Sequence, residues 1–313
     1  GRALKDGYRE RVKLATKLPS WLVHSREDMD RLFDAQLEKL QTDHVDLYLL
    51  HSLHQAYWDN YQRLKVFDWA EKKMAEGAIK HLGFSFHDEY KVFEEILNGY
   101  DNWEFCQIQY NYMDVEHQAG LKGLKAAAEK GLAVVIMEPL RGGNLARRAP
   151  DAVAAEFARS ERPWNNVEWA LHWLWDQPEV SLLLSGMSTM EQVEQNIATA
   201  SASGIGSLTA EDREIIHKVQ EAYRKLEPVP CTHCEYCLPC PNGVAIPTIF
   251  EIYNDLIKYD NLKMERFHYK LNVKPEEPNN CVECGQCEEL CPQQIEIIKW
   301  LEIAHERLGE PTP

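Results

Sequence analysis

The sequence predicts the α/β class: a (β/α)8 TIM barrel, N-terminally incomplete with about six strands visible, followed by a helix-rich, cysteine-bearing domain. Three observations predict it. Six short apolar segments alternate with helix-period segments along most of the chain, the pattern of a parallel sheet built from βα units. No Gly-rich dinucleotide turn follows the first of these segments, which argues against a doubly wound sheet. Eight of the nine cysteines fall into two dense runs near the C-terminus.

Candidate strands cover residues 12–16, 45–50, 79–84, 105–109, 132–137 and 181–185. The first helix is read from Met29, Leu32, Phe33, Leu37 and Leu40, with Ser25 and Asp28 as its N-cap and N3 pair. Helix-period segments recur at 61–74, 90–97 and 121–130. The chain opens on GRALKDGYRERV, where 4–11 reads as a helix end. The two strands needed to complete eight are therefore expected upstream of Gly1.

Periodicity stops near 225–230, where Pro228 and Pro230 mark a linker. We therefore expect a barrel over 1–224 and a second domain over 225–313. In the latter, 246–257 and 295–307 read as helices, while 263–280 is polar and proline-containing. The four tryptophans Trp164, Trp169, Trp173 and Trp175 have near-helical spacing and are expected to pack in a core or domain interface.

Composition narrows the function. A formal net charge of −16 disfavours nucleic acid as a partner, and no apolar run approaches the roughly 20 residues a bilayer crossing needs. We expect a soluble, cytoplasmic protein with neither nucleic acid nor membrane as partner. The lone Cys106, in an apolar stretch, is expected to be a buried inert thiol.

The second cysteine run, Cys281, Cys284, Cys287, Cys291 and Pro292, has the C-x2-C-x2-C-x3-C-P spacing of bacterial ferredoxins that hold two 4Fe-4S clusters. The first, Cys231, Cys234, Cys237, Cys240 and Pro241, is one residue shorter before its last cysteine. In that arrangement the fourth cysteine of each run serves the other cluster. The rule assigns Cys231, Cys234, Cys237 and Cys291 to one cluster and Cys281, Cys284, Cys287 and Cys240 to the other. Structural zinc competes with this reading, but its cysteines usually come as two C-x2-C pairs separated by a loop. Disulfides would require an oxidising compartment.

The strand ends carry a resemblance. ATK at 15–17, DLYLLH at 46–51, LGFSFH at 82–87, QIQYN at 107–111, MEPLRGG at 137–143 and LSGMSTMEQVEQN at 184–196 resemble, in order and spacing, the aldo-keto reductases. The whole chain resembles the branch of that family fused to a C-terminal ferredoxin-type domain. The resemblance implies nicotinamide-dependent reduction of an aldehyde or ketone. Lys17 matches the lysine that lowers the pKa of the family's proton-donating tyrosine, and His51 matches the histidine that orients the carbonyl. The tyrosine itself, and the aspartate that pairs with the lysine, belong to the first two βα segments and have no match in this chain.

The resemblance also places NADP(H) or NAD(H). Ser85 and Gln109 would meet the carboxamide. The loop with Leu140, Arg141, Gly142 and Gly143, and the segment with Gly186, Ser188, Gln192 and Asn196, would surround the phosphates. Three departures stand out: Phe86 follows Ser85 where the family often has Asn, Met137 replaces the aromatic that commonly stacks on the nicotinamide, and 184–196 lacks Lys and Arg. His87, just after Ser85, reads as an exposed loop histidine.

Hydride transfer moves two electrons, whereas a 4Fe-4S cluster passes one. The clusters are therefore expected to be structural, to serve a substrate directly, or to serve a flavoprotein or other redox partner. The expected function is an oxidoreductase acting on a small-molecule carbonyl. The alternative is an iron-sulfur electron-transfer protein whose barrel is a scaffold or docking surface.

Overall fold

A computed structural model describes residues 1–273 and 280–309. The prolines at 275 and 278, part of the stretch read as polar and proline-containing, lie outside the described residues, as do the last four residues.

Six strands form one parallel sheet in sequence order: β1 (Ala15–Leu18), β2 (Val45–Leu53), β3 (Ile79–Phe86), β4 (Phe105–Gln109), β5 (Ala133–Met137) and β6 (Val180–Leu183). Between them run α1 (Arg26–Leu40), α2 (Gln55–Leu64), α3 (Val66–Ala75), α4 (Tyr90–Asn98), α5 (Gly120–Glu129), α6 (Asp151–Phe157) and α7 (Asn166–Trp175). After β6 come α8 (Met190–Ala202), α9 (Ala210–Arg224), α10 (Ile246–Tyr259), α11 (Leu262–Asn272), α12 (Gln286–Leu290) and α13 (Ile297–Leu308).

The strands form where β-branched and aromatic residues can be buried on a pleated surface. Val45, Leu50, Phe84, Cys106, Ile108, Val134 and Ile136 are all fully buried, packed with helix residues Phe33, Phe93 and Leu124. α1 starts as expected. Asp28 accepts the backbone N–H groups of Ser25 and His24, both at 3.0 Å, and Arg31 and these amides hold its carboxylate far below the usual range.

Four sequence expectations need correction. β1 begins three residues later than expected, because Val12 is solvent-exposed and the ladder starts with Ala15 opposite Leu47. The 61–74 segment is two helices, since Lys65 takes a left-handed φ of 54° that ends α2 and begins α3. Residues 4–11 contain only short 3-10 turns, Arg2–Leu4 and Arg9–Arg11, with no buried side chain. Most of the stretch read as a polar connection is α11, whose Glu265 and Tyr269 are buried.

The chain groups into two compact units, Gly1–Gly142 with Val167–Leu208, and Gly143–Asn166 with Thr209 onward. The first contains the sheet. In the second, α6 packs on α9 and α10 packs on α11 and α13. Phe250, Leu256, Ala304 and Leu308 lie in its core. Arg162 pairs with the buried Asp212 of α9 at 2.8 Å, and Arg147 donates to the carbonyls of Tyr259 and Asp260 at 3.0 and 2.9 Å. Those bonds explain why α6 and α9 group with the cysteine-bearing segment, although they precede the linker at 225–230. Among the described residues, no helix is long and apolar enough to cross a membrane.

Candidate active site and cluster ligands

Lys17 and His51 lie at the C-terminal ends of β1 and β2. Lys17 is in register with Leu49, and side chains alternate along a strand, so His51, two residues on, projects from the same face as Lys17. Both backbones are pinned. Gln36 donates to the Lys17 carbonyl at 2.7 Å and itself accepts from the Tyr48 hydroxyl at 3.0 Å. The Ser20 hydroxyl donates to the His51 carbonyl, and the Tyr61 hydroxyl donates to Ser20 at 2.9 Å.

Burial lowers the Lys17 pKa. His51 is lowered to about 4, by burial first and then by the charges of Lys17 and His87. At neutral pH the imidazole is therefore uncharged and can donate one hydrogen bond. The Trp21 ring lies 4.9 Å from the His51 ring, tilted by 55°. Sequence reasoning missed Trp21; its position just after the lysine-bearing strand was the available signal.

Ser85 is buried near the end of β3, and its Oγ accepts the Ser52 N–H at 2.8 Å. That leaves its hydroxyl proton to donate. Gln107 donates to the Met137 sulfur at 3.2 Å, so Met137, where an aromatic was expected, packs against β4. Gln109 donates to Asp114 at 3.3 Å. Asp114 also accepts from Asn111 at 3.0 Å and from Arg141 Nε at 3.1 and 3.0 Å. Burial raises the Asp114 pKa, but Arg141 and the bond from Asn111 outweigh it, and the net shift is downward. Arg141 thus carries a carboxylate partner that the sequence did not reveal, because the two are 27 positions apart.

After Arg141 come Gly142 and Gly143, with φ of 62° and 92° and open space where a Cβ would stand. The left-handed backbone, rather than crowding, requires glycine there. In the other expected phosphate segment, Gln192 caps α8: its Oε1 accepts the N–H groups of Ser188 and Thr189 at 2.8 and 3.2 Å. Asn196 donates to Ser185 Oγ at 3.0 Å. Gly186 has no atom near its missing Cβ, and Leu140 directly precedes Arg141.

In the second unit, Cys231, Cys234, Cys237 and Cys291 line one cavity together with Ile246, Phe250 and Ile295. Three thiols of the first run thus share a cavity with the last of the second run. Cys240 lies elsewhere, beside Leu238 and Val244. In the second run the Cys287 thiol is pushed up to about 11, chiefly by burial, and Cys281 is the thiol acting on it. Among the described residues, no group of three or more His, Cys, Asp or Glu converges on the geometry of a single metal ion. Cys106 is fully buried and its thiol is pushed up to about 12 by burial, which makes it inert.

A parallel sheet with a lysine and a histidine at adjacent strand ends is thus joined in one chain to a segment whose cysteines line a cavity. The Aldo/keto reductase family matches residues 1–221, and the chain belongs to that family. Residues 230–296 match the 4Fe-4S dicluster domain. The uncharacterized oxidoreductase YrpG of Bacillus subtilis (strain 168) is 24% identical over 250 residues, covering 69% of this chain and 73% of that protein. An uncharacterized oxidoreductase of Schizosaccharomyces pombe is 26% identical over 195 residues, 60% of this chain and 59% of its own length. Among solved structures, the holo form of an aldo-keto reductase from Bacillus halodurans matches with a TM-score of 0.57 and 26% identity, over 70% of this chain and 75% of that one. An aldo-keto reductase from Klebsiella pneumoniae in complex with NADPH shares the fold, with a TM-score of 0.53 and 22% identity over 70% and 73% of the two chains.

Proposed function

We propose that this chain reduces an aldehyde or ketone with NADPH or NADH, residues 1–224 forming the reductase part and residues 225–313 carrying two 4Fe-4S clusters. The observation that carries the reading is the pairing of Lys17 and His51 on one face at adjacent strand ends. Neither side chain has a hydrogen-bond or ion-pair partner of its own among the described residues. A nicotinamide, when bound, would supply hydride to the carbonyl carbon, and the resulting alkoxide would take its proton from water. Neutral His51 donates a hydrogen bond to the carbonyl oxygen and orients it, and the Lys17 ammonium favours the negative charge that grows there.

Ser85 retains a proton to donate toward the carboxamide, and Gln109, tethered to Asp114, is the second candidate. Gly142 and Gly143 let backbone amides approach the pyrophosphate. The capped N-terminus of α8 adds a second anion-favouring element. NADPH rather than NADH is supported by the Klebsiella neighbour in complex with NADPH. In the iron-sulfur part, the shared cavity supports Cys231, Cys234, Cys237 and Cys291 as one ligand set, leaving Cys240, Cys281, Cys284 and Cys287 for the other. A flavoprotein partner would reconcile the one-electron centres with a two-electron reaction.

The test is oxidation of NADPH by anaerobically purified protein against a panel of aldehydes, ketones and quinones. We expect turnover that falls about 10²- to 10³-fold in His51→Ala, the range for removing one hydrogen-bond donor to a developing oxyanion. No turnover together with no nicotinamide binding would leave the electron-transfer reading instead.

A further inference from the structure

Beyond Lys17 and His51, three more histidines gather at the C-terminal mouth of β1–β4. His54 follows β2 and His87 follows β3. The His87 N–H donates to the Leu53 carbonyl at 2.9 Å, which seats His87 beside the end of β2. Gln118 Nε2 lies 3.4 Å from His87 Nδ1, bringing the 115–118 loop, with His117, to the same place. With Gln118 donating, Nδ1 accepts and the proton sits on Nε2. That Nε2–H has no partner among the described residues. The rings of His51, His54 and His117 and the Lys17 ammonium likewise lack a hydrogen-bonded or ion-paired partner there, although His54 packs its ring against Tyr57 at 4.0 Å.

The nearby carboxylates are engaged elsewhere. Asp88 accepts the backbone N–H groups of Gln55 and Glu89, both at 2.8 Å, and Asp114 is held by Arg141. His87, Glu116 and His117 are all solvent-exposed at this mouth. After burial, the influences on His87 are the charges of His117, Lys17 and His54, all basic and all lowering its pKa. Gln118 adds a further sign: its Oε1 is buried with no partner. If the amide turns over, that oxygen accepts from a protonated Nδ1, so Gln118 can partner His87 in either protonation state.

We infer that this mouth is an anion subsite and that the carbonyl substrate carries a second, anionic group, a carboxylate or phosphate, received by His87 and His117. The inference rests on the carbonyl-reductase reading and names its substrate class. His117 already feels the Asp114 carboxylate, so it is His87, whose influencing charges are all basic, to which an arriving anion supplies counter-charge and draws a proton.

Isothermal titration of the cluster-loaded protein with succinate, and with uncharged succinamide, reads the subsite without turnover. Repeating it at pH 7 in buffers of different ionisation enthalpy counts the protons taken up. We expect succinate to bind with proton uptake, succinamide to bind at least 10-fold more weakly, and His87→Gln to lose about 10-fold in succinate affinity together with the uptake. His117→Gln, checked with His87→Gln for unchanged iron content and circular dichroism, should weaken succinate too. In turnover, succinic semialdehyde should exceed butyraldehyde in kcat/KM, and His87→Gln should erase that preference. Equal binding of succinate and succinamide, or wild-type succinate affinity in both variants, would overturn the inference. His87-dependent succinate binding without any carbonyl turnover would instead keep the subsite and remove the reductase reading.

Discussion

At the scale of single residues, His51 makes the strongest pH claim. Its folded pKa of about 4 lies below the ordinary imidazole value of 6.5, so between these values the unfolded chain binds more protons than the folded one. Stability contributed by keeping His51 neutral is therefore complete above about pH 6.5 and is lost as pH falls toward 4. Urea midpoints measured from pH 7.5 to 4.0 should fall for the wild type and flatten in His51→Asn; parallel curves would contradict the assignment. The strand-end positions of Lys17 and His51 were legible in the sequence because each closes an apolar run within a family motif. Asp114 was not. Its role depends on the chain bringing Arg141 back to it, which no local spacing encodes.

At the scale of elements, strand existence was legible and strand limits were less so. Residues 105–109 stand as expected because a turn and a burial change bound both ends of that strand. β1 was read too early because Val12 and Leu14 look like strand residues, yet pairing to β2 begins with Ala15. The break at Lys65 left no mark either, since lysine in a left-handed conformation replaces the glycine that would have announced it. The capping box at Ser25 was read from the sequence, whereas that of α9 was not. Thr209 accepts the Asp212 N–H at 3.1 Å while Asp212 accepts the Thr209 N–H at 2.9 Å. Thr209→Ala should cost about 1 kcal/mol, measured as a lower urea midpoint for the transition of α9; an unchanged midpoint would mean that the Arg162–Asp212 pair alone holds that end.

At the scale of the whole molecule, an aldo/keto reductase segment and a 4Fe-4S domain share one chain, and each can be tested separately. Iron and sulfide should approach eight each per chain, with zinc negligible. About four irons would mean that a single cluster assembles. Cys291→Ala should damage the cluster that Cys231 holds, read as loss of one of two electron paramagnetic resonance signals after reduction. Loss confined to the cluster of Cys281 would refute the crossed pairing that the shared cavity supports. The cysteine runs were the most legible part of the sequence, because four ligands within a few residues leave little conformational freedom. The grouping of α6 and α9 with that unit was the least legible, since it depends on Arg147 and Arg162 reaching partners far along the chain.

The most direct test is calorimetric titration of the anaerobic, cluster-loaded protein with NADPH. The account predicts one saturable site per chain, weakened at least 10-fold by Gly143→Val, which forces a branched side chain onto a backbone with φ of 92°. A titration without saturable binding, in protein whose iron content is full, would contradict it.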